Sequence, residues 1–300
     1  MIRQQQKKPE TFLDGVDEAR CRILNGKFPD YILKRFSDML DYYGQSPIIV
    51  RSNNLLEDNF GNAFAGKYNN IFCANQGDHN SRLEQFLNAV RQVYASSMSK
   101  EALEYRAKRE VLDKDEQMTL LVQRVSGAHY GKYFFPQIAG VGFSFNPYVW
   151  NESIDPDAGM LRIVFGLGTR AVERSDDDYT RVVALNAPDK CPASNCDEVK
   201  KYSQRKAHIL NLETNKFENA YFVDIAAECA DLNVQKFAEL DEFCLDDYSV
   251  PENSLKPWII NFNKIFAETT IISDMREMLK ILKEKYERNV DIEFAINFLE

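Results

Sequence analysis

Residues 273–296 carry two hydrophobic periodicities in succession, and few architectures accommodate both. From Ser273 to Glu287, Met275, Met278, Leu279, Leu282 and Tyr286 recur at three- and four-residue spacings, the stripe of an amphipathic helix. From Val290 to Ile296 the spacing drops to two. Val290, Ile292, Phe294 and Ile296 fall on one strand face, and Asp291 and Glu293 fall together on the other. A helix and a strand that each have one apolar side need an apolar layer to face, so helices packed on sheets are expected.

The rest of the chain reads the same way. Residues 10–45 are amphipathic and helical in pattern, ending near Tyr43-Gly44 with Pro47 beyond. The apolar run Ile48-Ile49-Val50 opens a strand, Ile48–Arg51. Ser81-Arg82-Leu83-Glu84 has the form of a capping box. It predicts a helix with Leu83, Phe86, Leu87, Val90 and Tyr94 on one stripe. A further helix is expected over about Glu101 to Glu110. Strands are expected near Thr119–Val125, Gly140–Phe145, Leu161–Phe165 and Arg181–Leu185. Residues 188–206 and 240–257, polar and punctuated by proline, read as surface connections. This order predicts a mixed α+β fold.

Composition removes several classes of function. A net charge of -9 over 300 residues argues against broad nucleic-acid or anionic-membrane binding. It leaves room for a small anion, because a local cluster of cations and amides binds one even on an acidic protein. No apolar run approaches the ~18 residues of a membrane span, and the N-terminus does not lead into a signal-peptide core. The six cysteines are scattered apart from Cys191 and Cys196, with no zinc-type spacing, and they suggest reduced thiols in a cytoplasmic protein. Oligomeric state is not set by any pattern here.

Several residues carry possible chemistry. Arg51 stands where a strand emerges into Arg51-Ser-Asn-Asn-Leu-Leu-Glu57-Asp58. Its planar fork of donors suits phosphate oxygens, and Ala63, Ala65 and Gly66 downstream let backbone amides approach a ligand closely. An ion pair of Arg51 with Glu57 or Asp58 is the alternative. Asp291 and Glu293 project side by side, which suits oxygen ligation of Mg²⁺ between phosphates, or else forms a solvated acidic face. Gln123 lies within an apolar strand and needs a hydrogen-bond partner if buried. Gly166-x-Gly168 lacks the lysine of a P-loop. Asp176-Asp177-Asp178 reads as a solvated turn, and His79, His129 and His208 read as structural or surface residues.

Together these segments resemble the nucleotide-binding domain of the phosphoenolpyruvate synthase and pyruvate phosphate dikinase family, an ATP-grasp-type domain. Arg51-Ser-Asn…Glu57-Asp58 with Phe64-Ala-Gly66 resembles its Arg-Ser-Ser-x-x-x-Glu-Asp…Phe-Ala-Gly motif. Leu121-Val-Gln123-Arg-Val125 resembles Val-Gln-x-Met-Val. Ala139-Gly-Val-Gly-Phe-Ser144 resembles Ser-Gly-Val-x-Phe-Thr. Gly166-Leu-Gly168 resembles Gly-Leu-Gly-Glu, and Asp291-Ile-Glu293-Phe294 resembles Asp-Ile-Glu-Trp. The matches keep the family's order across residues 46–296.

The resemblance implies a helical segment over 1–45 and an ATP-grasp-like domain over 46–300. In the family, ATP binds between two subdomains. Arg51 would take its phosphates, Gly66 and Asn70 would contact the nucleotide, Gln123 would take the adenine edge, and Asp291 and Glu293 would hold Mg²⁺. Arg51 and Glu293 would be the catalytic pair. The phosphoryl group would pass to a histidine on another domain and then to pyruvate on a phosphoenolpyruvate-binding domain. The sequence departs from the pattern at Asn53, at Asn70 (threonine in the family) and at Thr169 (glutamate in the family). It also lacks a Gly-Gly-Lys-Gly loop before residue 46 and stops short of the Gln-x-Arg motif. An incomplete domain, inactive alone, is therefore expected. The alternative is a divergent nucleotide-binding or regulatory module without phosphotransfer.

Overall fold

A computed structural model describes residues 7–54, 68–114, 117–172, 178–193, 196–241 and 258–298. The chain divides into two units: residues 1–125 with 210–217, and residues 126–209 with 218–300.

In the first unit, helices α1 (Val16–Leu24) and α2 (Asp30–Tyr43) precede strands β1 (Ile48–Asn54) and β2 (Ile71–Cys73). Helices α3 (His79–Ser96) and α4 (Lys100–Lys108) and strand β3 (Met118–Arg124) follow. The strands form an antiparallel sheet in the order β2-β1-β3. Along β1, Ile48, Val50, Ser52 and Asn54 are buried, while Ile49 and Arg51 are half-buried and Asn53 is exposed. Ile48 and Val50 pack with Leu40 of α2 and with Phe86, Val90 and Val93 of α3. Arg82 is buried, and its Nη1 donates to the carbonyls of Gly44 at 2.5 Å and Leu40 at 3.4 Å. A cation thus serves the carbonyls at the end of α2, where Leu40 also accepts from the Gly44 amide at 2.9 Å.

The second unit contains β4 (Ala128–Tyr130), β5 (Tyr133–Phe135), β6 (Ile138–Phe143), β7 (Met160–Val164), α5 (Thr169–Val172) and β8 (Arg181–Ala184). Next come α6 (Cys196–Lys201), β9 (Lys206–Asn211), β10 (Lys216–Tyr221), α7 (Phe222–Glu228), β11 (Ala238–Leu240) and β12 (Trp258–Ile260). Helices α8 (Asn263–Glu268) and α9 (Ile271–Tyr286) and strand β13 (Asp291–Ile296) complete it. One sheet runs β13-β6-β7-β8, entirely antiparallel, and a second runs β10-β9-β5-β4. Its core is aromatic: Phe165 meets Phe135, Phe222 and Phe237 at centroid distances of 5.2, 4.8 and 5.5 Å. Gly140 is obligatory in this packing, since a Cβ there would sit 2.3 Å from the Arg162 carbonyl oxygen. The tip of the β9–β10 hairpin, Leu210–Phe217, clusters with the first unit. There Asn215 exchanges hydrogen bonds with Gln76 at 3.0 and 3.1 Å, and Phe217 stacks on Phe72.

The fold is α+β, as the periodicities imply, with three local corrections. Ser81 does not cap α3. The helix starts at His79, and Asp78 is the cap, its carboxylate accepting from the Ser81 amide at 3.0 Å. A short helix, α6, interrupts the expected loop 188–206. Asp178 is buried rather than solvated: it pairs with Arg170 at 3.0 Å and accepts from the amides of Arg205 at 2.7 Å and Lys206 at 3.0 Å. Asp176 and Asp177 lie outside the described residues, as do residues 242–257.

Candidate functional site

The β1–β3 register brings two of the expected site residues to one sheet face. Arg51 pairs with Leu121, and Ile49 pairs with Gln123. Directly opposed residues share a face, so Arg51 and Gln123 are diagonal neighbours on the side of the sheet away from Ile48 and Val50. Such diagonal pairs have Cα atoms roughly 7–8 Å apart, within reach of long side chains. Gln123 is exposed, so its amide is available to a ligand rather than committed by burial. On the other edge of β1, Val50 pairs with Ile71. Asn70, exposed and one residue before Ile71, therefore sits beside the Arg51 end of β1. Gly66, Glu57 and Asp58 lie outside the described residues.

The same face has an apolar component. Phe72 pairs with Ile49, and its ring stacks on Phe217 at 5.6 Å with planes 22° apart. Leu121, beside Arg51, is exposed to 42 %. Apolar and aromatic surface beside a cation and an amide is the composition expected of a site for a planar anion.

In the second unit, β13 alternates as its sequence predicts, with Asp291, Glu293 and Ala295 exposed and Ile292, Phe294 and Ile296 half-buried. The inward set packs against the apolar core, with α9 supplying Met275 and Leu279. Glu293 pairs with Val141, and Val141 pairs with Arg162. The acidic face of β13 is thus continued across the sheet by a basic side chain, which sequence inspection passed over. Its signal was one charge inside the apolar strand Met160–Val164. Burial raises the pKa of Asp291: although the side chain reaches solvent, its neighbours displace enough water to penalise the charge. A cation held there would offset that penalty.

Two carboxylates do not form a complete metal cage, and among the described residues no cluster of three or more His, Cys, Asp and Glu is arranged to hold an ion. Mg²⁺ commonly uses one or two carboxylates and completes its shell with substrate phosphates and water. Asp291 and Glu293 fit that mode.

The Gly166-Leu167-Gly168 turn has a structural reason for its glycine. Gly166 has φ of 88°, and a Cβ there would meet the His208 carbonyl oxygen at 2.7 Å. Thr169, which opens α5, contacts His208 Nδ1 through its hydroxyl at 2.5 Å. The other histidines are also engaged locally, His79 with Ser37 and Asp41, and His129 against the Phe134 ring.

Among the described residues no helix is long and apolar enough to cross a membrane. Antiparallel sheets with packed helices are consistent with an ATP-grasp-like fold. Residues 2–300 match the family described as pyruvate phosphate dikinase, AMP/ATP-binding domain, and the chain belongs to that family. ATP is its expected ligand, in the setting of a phosphotransfer enzyme. No curated protein matches the chain.

Proposed function

We propose that the chain is the ATP-binding part of a phosphoenolpyruvate synthase-like phosphotransferase. Arg51 neutralises nucleotide phosphates, Gly66 and Asn70 contact the nucleotide, and Gln123 hydrogen-bonds the adenine edge. Asp291 and Glu293 hold Mg²⁺, which supplies charge neutralisation at the phosphates when bound. Positioning and charge stabilisation are the protein's task in such a reaction. The observation that carries this reading is the register that sets Arg51 and Gln123 as diagonal neighbours on one sheet face.

The phosphoryl acceptor is a histidine on another domain, from which the group passes to pyruvate. His79, His129 and His208 are each engaged in local packing or hydrogen bonding, which supports an acceptor elsewhere. Incubating labelled ATP and Mg²⁺ with the full-length protein tests the route. Acid-labile, base-stable phosphohistidine is expected, and its absence with nucleotide binding retained would reject phosphotransfer. A second reading, a nucleotide-binding module without phosphotransfer, draws on Thr169: the position that carries glutamate in the family bears a hydroxyl turned to His208.

A further inference from the structure

The first unit holds a cavity of about 560 Å³ that the nucleotide reading does not use. It is built from the helical layer and the start of β3, and neither Arg51, Asn70 nor Gln123 lines it. Lys7, Lys27, Arg91, Arg106 and Lys114 line it, and no acidic side chain does among the described lining residues. Five cationic side chains thus line one cavity of a protein of net charge -9. Its floor is apolar, with Phe28, Leu103 and Met118.

The cations are built in rather than scattered on the surface. Arg106 is 8 % exposed, and its Nη2 donates to the Lys114 carbonyl at 3.0 Å. Arg91 donates through Nε to the Gly26 carbonyl at 3.1 Å, and its guanidinium lies 5.2 Å from the Phe28 ring centroid. Arg91 also meets Glu84 at 3.2 Å, which neutralises part of one charge. Two guanidinium groups are thus fixed by the backbone at a concave apolar wall, with Lys27 and Lys114 exposed beside them. The volume lies within the roughly 300–1,000 Å³ typical of small-ligand sites. Fixed cations over an apolar floor complement a molecule with an anionic head and an apolar body.

We infer that this cavity binds a small aromatic or apolar phosphate-class anion, at a site separate from the Arg51 face. Binding there is governed by the lysine and arginine charges, and the apolar wall takes the body of the ligand.

Fluorescence titration with 8-anilinonaphthalene-1-sulfonate, an aromatic anion, tests this on the whole chain, with inorganic pyrophosphate as competitor. The Lys27→Glu/Lys114→Glu double variant reverses two exposed charges, and circular dichroism melting checks that it remains folded. Saturable binding to the wild type is expected, displaced by pyrophosphate and weakened at least about tenfold in the double variant. Arg51→Ala should leave intact the part of the signal that the double variant loses. Unaltered affinity in the folded double variant, no binding to the folded wild type, or an equal loss in Arg51→Ala would each overturn the proposal. Should the double variant fail to fold, Lys27→Gln and Lys114→Gln singly must each weaken binding, and a failure of both to do so overturns it.

Discussion

Arg51 and Gln123 lie diagonally across the β1–β3 ladder, because Arg51 pairs with Leu121 and Gln123 with Ile49. Substituting either should therefore weaken nucleotide without disturbing the core on the opposite face. Arg51→Ala removes a charge-assisted contact of about 1.5–3 kcal/mol, or roughly ten- to a hundredfold in affinity. Gln123→Ala removes a neutral one and should cost about 0.5–1.5 kcal/mol, with a larger effect on ATP than on inorganic triphosphate. Equal losses for both ligands would remove the adenine role of Gln123.

Asp291 links pH to stability. Its pKa is raised by desolvation, so the folded chain holds the proton more tightly than the unfolded chain. That contribution favours folding below the unfolded pKa and is lost as pH rises through the folded one. At neutral pH a poorly hydrated charge remains. Asp291→Asn should raise Tm at about pH 7, with the gain vanishing toward about pH 3, where both states are protonated. The same variant should need more Mg²⁺ to bind ATP. Thermal melts across this range check the sign, and a lower Tm at neutral pH would contradict the account.

Asp178 carries a structural burden that its acidic neighbourhood hides. It pairs with Arg170 and accepts from the backbone amides of Tyr179, Arg205 and Lys206 while buried. Asp178→Ala strands a buried guanidinium and should cost about 3–5 kcal/mol in urea unfolding. A loss under about 1 kcal/mol would mean that water replaces the carboxylate.

The thiols should separate by burial. Cys73 is pushed up to about 12 and Cys229 to about 11 by desolvation, whereas Cys21 is exposed. Iodoacetamide near pH 8 should label Cys21 quickly, and Cys73 and Cys229 only on unfolding, as read by peptide mass spectrometry. Labelling of Cys73 in the native protein would show that the α3 layer opens readily.

Much of this was legible in the sequence, for physical reasons. The alternation of β13 is a local periodicity, and a local pattern fixes which side chains share a face; in α9 the stripe holds for Met275 and Leu279, which are buried, whereas Met278 and Tyr286 are exposed. The strands β2, β4, β5, β11 and β12 are three residues each, too short to alternate visibly. They are strands because a neighbour supplies the ladder. The cap of α3 was misassigned because Asp78 and Ser81 are both good caps, and only geometry shows Asp78 accepting from Ser81. Arg51 and Gln123 were separately nameable, but their common face depends on pairing between distant segments. The position of Arg162 opposite Val141 and beside Glu293 is of the same kind.

Calorimetric titration of Mg-ATP into the protein and its Arg51→Ala variant tests the central claim most directly. Saturable binding to the wild type, weakened at least about tenfold by the substitution, is the predicted result. Identical affinities for the two proteins, or no binding by a folded wild type, would contradict it.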